Sequence, residues 1–441
     1  MKKLFVLLLS LAYICPYTFA QTIDGHPAWA MQGNIYEVNV RQYTKKGTFK
    51  AFSKELDRLK EMGVQTLWFM PVTPISKVAR KGSLGSYYAV SNYTAVNPEF
   101  GTIKDFKKLV AEAHKLGMKV IIDWVPNHTG ADNVWIKRHP DFYVKDKTGK
   151  PAVAFDWADT RQLNYKNIVM QDSMINAMKY WVVNTGIDGF RCDVAWNVPA
   201  AFWKRCIPQL NSIRELFWLA EGDKTYLHPS GFDATYPWDM FHTMILVAKG
   251  ARPATSLDTI KARYDKIYPK NALELYFTSN HDENSWNKAD YGVFPGASHA
   301  PFAVFTQTMP HSIPLIYSGQ EEPVLRAIKF FDKDNMKMGK YDREKFYKTL
   351  LNLRRFNPAF AANASFRKVT VGDNKAVYAY VRELGDKKAL VILNLSAHPQ
   401  TITVEEDGLL GKPHNVFAKQ DEPLTSKPWK MDPWGYAIFT Y

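Results

Sequence analysis

The chain has 441 residues, a formal charge of +14 and only three cysteines, with 46% of its residues hydrophobic. That is ample for a large core, and the length alone points to two or three domains. The Lys and Arg are scattered along helix-like stretches such as KELDRLK and DFKKLV, which points to solvated faces and excludes a nucleic-acid or anionic-surface partner as the reason for the charge.

Residues 1–20 read as a secretory leader: a basic start at Lys2 and Lys3, an apolar stretch from Leu4 to Ile14, and a small-residue exit at Thr18-Phe19-Ala20. The apolar stretch is shorter than the roughly 20 residues a bilayer requires, and bulky Ile14 before Cys15 argues against lipidation. No other run suits a membrane span. An exported protein is expected, with the periplasm as first choice. Cys192 and Cys206 remain, with no disulfide framework and no CxxC metal pattern. Cys192 lies between Arg191 and Asp193 on a strand, so it faces away from both.

The first strand is expected from Ile35 to Val40, followed by an amphipathic helix through Phe49, Phe52, Leu56, Leu59 and Met62, with Gly63 as its stop. The second strand is VQTLWFMP. The next helix begins at Thr102, with Asp105 three residues on as a capping-box variant, and carries Ile103, Phe106, Leu109, Val110, Ala113 and Leu116 at helical spacing. The third strand is Lys119 to Val125. Periodicity then lapses over residues 129–167, a stretch long enough to be an inserted domain. The remaining strands are Ile187 to Asp193, Leu216 to Glu221, a weak sixth near Gly231 to Ala234, Leu273 to Ser279, and Ile313 to Tyr317. A last helix spans Glu344 to Phe356. Beyond Asn357-Pro358, short strands with turn residues between them read as a separate antiparallel β domain over residues 357–441, a β-sandwich. The fold class is α/β: a (β/α)8 TIM barrel over residues 21–356 with an insertion after strand 3, then the β domain.

One design recurs in the barrel segment. Short apolar runs stop at charged or amide side chains: KVIIDWVPNH at Asp123, Asn127 and His128; IDGFRCDVAW at Arg191 and Asp193; LFWLAEGD at Glu221; LYFTSNHDEN at Asn280, His281 and Asp282. Runs of this length read as buried parallel strands, whose carboxyl ends converge on one face. Asp193, Glu221 and Asp282 on that face suit glycosidic-bond hydrolysis with retention, which needs two carboxyl groups roughly 5–5.5 Å apart, one as nucleophile and one as acid then base. Arg191 points the same way as Asp193 and is expected to keep it ionised, while the apolar run before Glu221 is expected to raise that residue's pKa.

These segments, with LWFMPVTPI, YYAVSNYTAVNPEFGT and IPLIYSGQE in order around them, resemble the α-amylase family of glycoside hydrolases over nearly all of the mature sequence. The resemblance implies Asp193 as nucleophile, Glu221 as general acid/base and Asp282 as transition-state stabiliser. It implies Tyr88 stacked under the cleaved sugar, with His128, His281 and Arg191 at the substrate. Trp196 and Asn197 stand where relatives often carry Lys-His, so Trp196 is expected to stack on an acceptor sugar, with core packing as the other reading. Asn127 matches a calcium ligand of the family, but Gln162 stands where a carboxylate would complete the site. Asp159 is the substitute ligand, weak calcium binding or none is expected, and no cofactor is required.

The implied activity is that of an endo-acting α-amylase on α-1,4-linked, starch-like glucans or maltooligosaccharides. The short insertion suggests an open cleft, and a monomer is expected. An α-glucosidase or transglycosylase on short α-glucosides is the second reading, and a non-catalytic glucan-binding protein the third.

Overall fold

The computed structural model describes residues 22–441, so the leader expected over residues 1–20 lies outside the described residues. Eight parallel strands form the central sheet: β1 (Ile35–Val38), β2 (Thr66–Phe69), β3 (Lys119–Trp124), β4 (Gly189–Cys192), β5 (Phe217–Ala220), β6 (Ala234–Thr235), β7 (Leu273–Glu274) and β8 (Leu315–Tyr317). Their order is β7-β6-β5-β4-β3-β2-β1-β8. Backbone bonds from Ile313 N to Glu274 O and from Leu315 N to Tyr276 O, both 2.8 Å, close the sheet into a barrel. Successive strand residues point to opposite faces. Ile35, Trp68, Ile121, Phe217 and Leu219 therefore fill the interior, while Tyr36, Leu67, Phe69, Ile122 and Trp218 pack outward on the helices.

Among the outer helices, α1 (Leu56–Met62) is the end of a longer expected helix. Its first part is a separate turn, Phe49–Phe52, joined through a 3-10 turn at Ser53–Glu55. The Ser53 hydroxyl donates back to the Phe49 carbonyl at 3.0 Å, a competing bond that tightens the chain there. In α2 (Ile103–Lys115) the Thr102 hydroxyl and the Asp105 carboxylate cap each other's backbone. Next come α3 (Ile168–Thr185), α4 (Ala200–Asn211), α5 (Trp238–Ala248), α6 (Ser256–Ile267), α7 (His281–Asn287), α8 (His299–Thr308) and α9 (Glu344–Phe356). No helix of the described residues is long and apolar enough to cross a membrane.

The seventh strand is shorter than its apolar run. Leu275 N still bonds Thr235 O at 2.9 Å, but Tyr276 N turns to Glu274 O, and the chain leaves the ladder before Asn280. The segment after β3 is pinned by a hairpin of His128–Gly130 with Thr160–Gln162. Short helical turns at Val134–Arg138 and Pro140–Phe142 lie within it.

The C-terminal region is antiparallel: β9 (Ser365–Val369), β10 (Val377–Leu384), β11 (Lys387–Asn394), β12 (Gln400–Ile402), β13 (His414–Asn415), β14 (Gln420–Asp421), β15 (Trp429–Met431) and β16 (Tyr436–Thr440). Six strands form one sheet in the order β9-β10-β11-β16-β13-β14, and β12 pairs with β15 apart from it. One face of the sheet, through Tyr378, Tyr380, Val391 and Leu393, shares a core with the barrel. Two buried arginines tie the halves by donating to carbonyls: Arg382 of the C-terminal sheet to Thr308 of the barrel, and Arg354 of the barrel to Phe360 at 2.7 Å as well as to Gly33 at 2.8 Å.

Beneath the barrel, Glu274 is buried beside Lys261, Tyr264 and Asp265 of α6, Tyr268 just after it, and His311 before β8. Burial pushes its pKa up to about 8, from 4.5 for a free side chain. A carboxyl raised on folding supports the fold fully below the unfolded value, and that support is lost as pH rises through the folded one. Glu274→Gln should melt close to wild type at pH 5 and roughly a few °C higher at pH 9. A gap in melting temperature that does not change with pH would show that no proton is held there.

Candidate active site

At the carboxyl end of the barrel, one guanidinium organises the site. Arg191, on β4 and only 1% exposed, donates from one terminal nitrogen to Asp123 Oδ1 and Asp193 Oδ1, each at 3.0 Å. Its other terminal nitrogen lies 3.4 Å from Glu221 Oε2, and Nε donates to the Tyr236 hydroxyl at 3.2 Å. The aromatic rings of Trp68, Tyr88 and Tyr236 surround it at 5.1, 5.8 and 5.6 Å. A buried cation is tolerable only when paired this thoroughly.

Local backbone geometry presents the two carboxylates. Asp193 follows β4, its N–H bonded to Trp124 O, and Glu221 follows β5, its N–H bonded to Cys192 O. Val194 is left-handed at φ 45°, an outlier for a β-branched residue. That twist lets its N–H donate to Glu221 Oε2 at 2.7 Å. After Glu221, Gly222 sits at φ 143°, where a Cβ would lie 2.9 Å from Trp196 Cβ, so glycine is required. Asp282 sits in the first turn of α7, whose N-cap Asn280 accepts from Glu283 N at 2.8 Å.

The electrostatics differ from the sequence expectation. Burial and then the neighbouring Glu221 charge push Asp193 well above the usual carboxylate range, against the pull of Arg191. For Glu221, burial is outweighed by Arg191 and the Val194 N–H, and its pKa is lowered. The apolar strand before Glu221 does not govern it, because the side chain reaches past that strand to a cation and a backbone donor. The two carboxylates share one environment and titrate as a pair.

Behind them runs a buried hydrogen-bond chain. The Tyr88 hydroxyl donates to Asp123 Oδ2 at 2.9 Å and lies 2.7 Å from His281 Nε2. His281 Nδ1 meets Glu37 Oε1 at 2.5 Å. Burial alone would lower the His281 pKa, but Asp282 and Glu37 outweigh it and carry it up to about 9. His281 is therefore an imidazolium donating in both directions. Tyr88 stacks on it, with ring centres 5.5 Å apart and planes at 19°.

His128 is the opposite case, since burial pushes its pKa down to about 4. Asn127 Nδ2 donates to its Nδ1 at 3.1 Å, which leaves Nε2 to carry the hydrogen; that nitrogen is buried without a partner. His128, Tyr88, Asp193, Glu221 and Asp282 all line one cavity of about 220 Å³. Trp196 does not line it: the residue is 41% exposed, its ring 5.9 Å from that of Phe155, so it is no core residue.

The metal reading of Asn127 and Asp159 does not fit this geometry. Asn127 Oδ1 accepts from Gln162 Nε2 at 3.1 Å and Asn197 Nδ2 at 2.8 Å, so amide hydrogens occupy the oxygen a cation would need. Asp159 turns into the cavity and faces Lys81 Nζ at 3.4 Å. Among the described residues, no three acidic, His or Cys side chains are grouped to hold a metal.

Several residues of the site escaped the sequence reading: Lys81, Trp157, Trp286, Phe330 and Phe331 in the cavity wall, and Glu37 buried behind His281. Only Glu37 left a signal, as a charge inside the apolar run IYEVNV.

Residues 13–158 match the family model described as "Alpha amylase, catalytic domain", and residues 367–438 match "Maltogenic Amylase, C-terminal domain". The chain is 26% identical over 396 residues to alpha-amylase MalA of Haloarcula japonica, covering 85% of this chain and 57% of that protein's length. It is 26% identical to Neopullulanase 2 of Thermoactinomyces vulgaris, covering 94% of this chain and 79% of that one. Among solved structures, an alpha-amylase from Lactobacillus plantarum superposes with a TM-score of 0.84 at 28% identity, covering 93% and 99% of the two chains. The noncanonic maltogenic alpha-amylase AmyB from Thermotoga neapolitana gives 0.80 at 28% identity, covering 93% and 96%.

Glu37→Gln removes one of the two carboxylates that hold the His281 pKa up. The His281 titration should move down from about 9, and turnover at pH 8 should fall by roughly tenfold, with a smaller loss at pH 6. An NMR titration of the imidazole beside a pH–rate profile tests this. An unchanged His281 titration would overturn the assignment.

Proposed function

The chain belongs to the α-amylase family of glycoside hydrolases, and from that premise we propose that it hydrolyses α-1,4-glucosidic bonds of starch-like glucans and maltooligosaccharides with retention of configuration. The observation that carries this reading is the cavity that Asp193, Glu221 and Asp282 share, two of them on one buried guanidinium.

Asp193 attacks the anomeric carbon while Glu221 donates its proton to the departing glycosidic oxygen. The resulting glycosyl–enzyme ester is then opened by water, with Glu221 taking the water's proton. The carboxylate pair must hold one proton at the start, and the sugar decides where. Positive charge developing at the anomeric carbon favours an ionised Asp193, so the proton resides on Glu221 when substrate is bound. Asp282, exposed at the cavity edge, and the His128 Nε2–H are placed to hold sugar hydroxyls. Tyr88, positioned by His281 and Asp123, offers its ring face to the reacting sugar. Export follows from the leader-like residues 1–20.

Calcium has no step in this mechanism. The Asn127–Gln162–Asn197 amide cluster joins the inserted segment and the turn after Asp193, which supports calcium independence. Chelator should leave activity and melting temperature nearly unchanged; a sharp fall in EDTA that calcium reverses would overturn this.

Asp193→Asn, Glu221→Gln and Asp282→Asn should each lower kcat on soluble starch by several orders of magnitude, with melts close to wild type. Azide should rescue Asp193→Gly and yield a glycosyl azide of inverted configuration. A folded variant that retains near wild-type kcat would remove that residue from the mechanism.

A further inference from the structure

We propose that the Lys81–Asp159 ion pair closes the donor end of the catalytic cavity, so that the enzyme takes α-glucan chains by their free non-reducing end and releases short products. This rests on the hydrolase reading above and sets aside the open cleft and internal attack expected from the short insertion.

Lys81 belongs to the loop after β2 and reaches the insertion on one side and the loop after β8 on the other. Its Nζ lies 3.4 Å from Asp159 Oδ1 and 5.9 Å from the centre of the Phe331 ring. Both banks are fixed. Ser83 donates from its N and Oγ to Asp332 Oδ1 at 2.8 and 2.7 Å, and Leu84 N bonds Phe331 O at 2.9 Å. At Gly82, with φ 61°, a Cβ would lie 2.5 Å from Phe331 Cβ, so the loops meet too closely for any other residue. Across the cavity, Ala131 N bonds Asp159 O at 2.9 Å, next to the hairpin that anchors the insertion.

The chemistry at this end suits a chain terminus. The Asp159 carboxylate is almost fully buried, and its Oδ2 has no hydrogen-bond partner. An unpartnered buried carboxylate oxygen is costly unless a donor meets it. A terminal glucosyl unit carries a free 4-hydroxyl, which can donate to Asp159 while accepting from Lys81. An internal unit carries the next sugar on that oxygen, which would run into the bridge.

Direction follows from the acid. Trp196 packs against Gly222 beside Glu221, where the leaving group is protonated. Lys81 lies at the far end of the aromatic row Tyr88, Phe330 and Phe331, whose successive ring centres are 6.2 and 5.1 Å apart. The Lys81 side of the bridge, on Phe331, is the side assigned to the sugar transferred to Asp193.

The test compares maltoheptaosides with free and with 4,6-ethylidene-blocked non-reducing ends. Wild type should show kcat/KM about tenfold or more lower on the blocked substrate. Lys81→Ala should bring the two substrates within about threefold of each other, and Lys81→Met, which keeps the stem, should relax the preference in the same direction. Asp159→Asn should weaken the preference by reducing use of the free end. Thermal melts establish that each variant is folded. Equal rates in wild type, or a ratio unchanged by Lys81→Ala, would overturn the proposal. Should wild type hydrolyse neither substrate, the hydrolase reading fails, and calorimetry of both oligosaccharides binding to wild type still decides: equal affinities overturn the closed end, and loss of affinity on blocking supports it.

Discussion

The active end of this barrel depends on keeping one cation in a place water cannot reach. Arg191 is buried under three aromatic rings, and its guanidinium is shared by Asp123, Asp193 and Glu221. Strand register makes the sharing possible. Asp123 on β3 sits directly opposite Arg191 on β4, and Arg191 sits opposite Leu219 on β5, two residues before Glu221. Alternation then puts Arg191 and Asp193 on the inner face and sends Cys192 outward into the helix-facing core. Remove the guanidinium and the site holds several buried anions with no counter-charge, an arrangement that costs several kcal/mol. The same cation thus serves the fold and the chemistry.

That economy has an electrical consequence. A single cation serving three carboxylates cannot hold all of them ionised once water is excluded. Asp123 is pushed up to about 6 by burial despite Arg191, and Asp193 is pushed up by burial and by Glu221. Protons stored among acids behind and beside the reaction centre are what an acid/base mechanism needs, provided the substrate can redistribute them. His281, held as a cation by Asp282 and Glu37, adds a second positive charge, on the Tyr88 and Trp68 rings that also flank Arg191. The sugar meets acids that hold protons in part, and its own developing charge completes the balance.

Much of this was legible in the sequence because it follows from periodicity. The strand ends at Asp193 and Glu221, the Thr102–Asp105 cap, and the helix from Glu344 to Phe356 all come from short-range patterns that packing reinforces. What escaped depends on long-range contact. Glu37 inside an apolar strand has meaning only once His281, 244 residues away, closes on it. Lys81 and Asp159 lie on loops without periodicity, and their pairing comes from tertiary structure alone. The seventh strand reads long because its apolar run continues, whereas the ladder ends where Tyr276 N turns back to Glu274 O. The shift of Glu221 runs opposite to the sequence expectation for a related reason: sequence shows the neighbours along a strand, while a pKa answers to neighbours across the barrel.

Asn127 shows how one amide does the work of several groups at the junction of insertion and barrel. Its oxygen takes hydrogens from Gln162 in the insertion and Asn197 in the turn that follows Asp193. Its nitrogen donates to His128 Nδ1, which leaves the His128 Nε2 hydrogen facing the cavity. A cation in this place would tie the loops by charge and demand carboxylates, each of which would add negative charge beside an already acidic site. Neutral amides join the same segments without that charge. They also specify direction, because an amide has a distinct donor and acceptor end, and that polarity fixes the imidazole tautomer. The departure from a carboxylate at Gln162 is thus consistent with the rest of the site: in a cavity that already strains to keep its acids partly protonated, the loops are joined by groups that carry no charge.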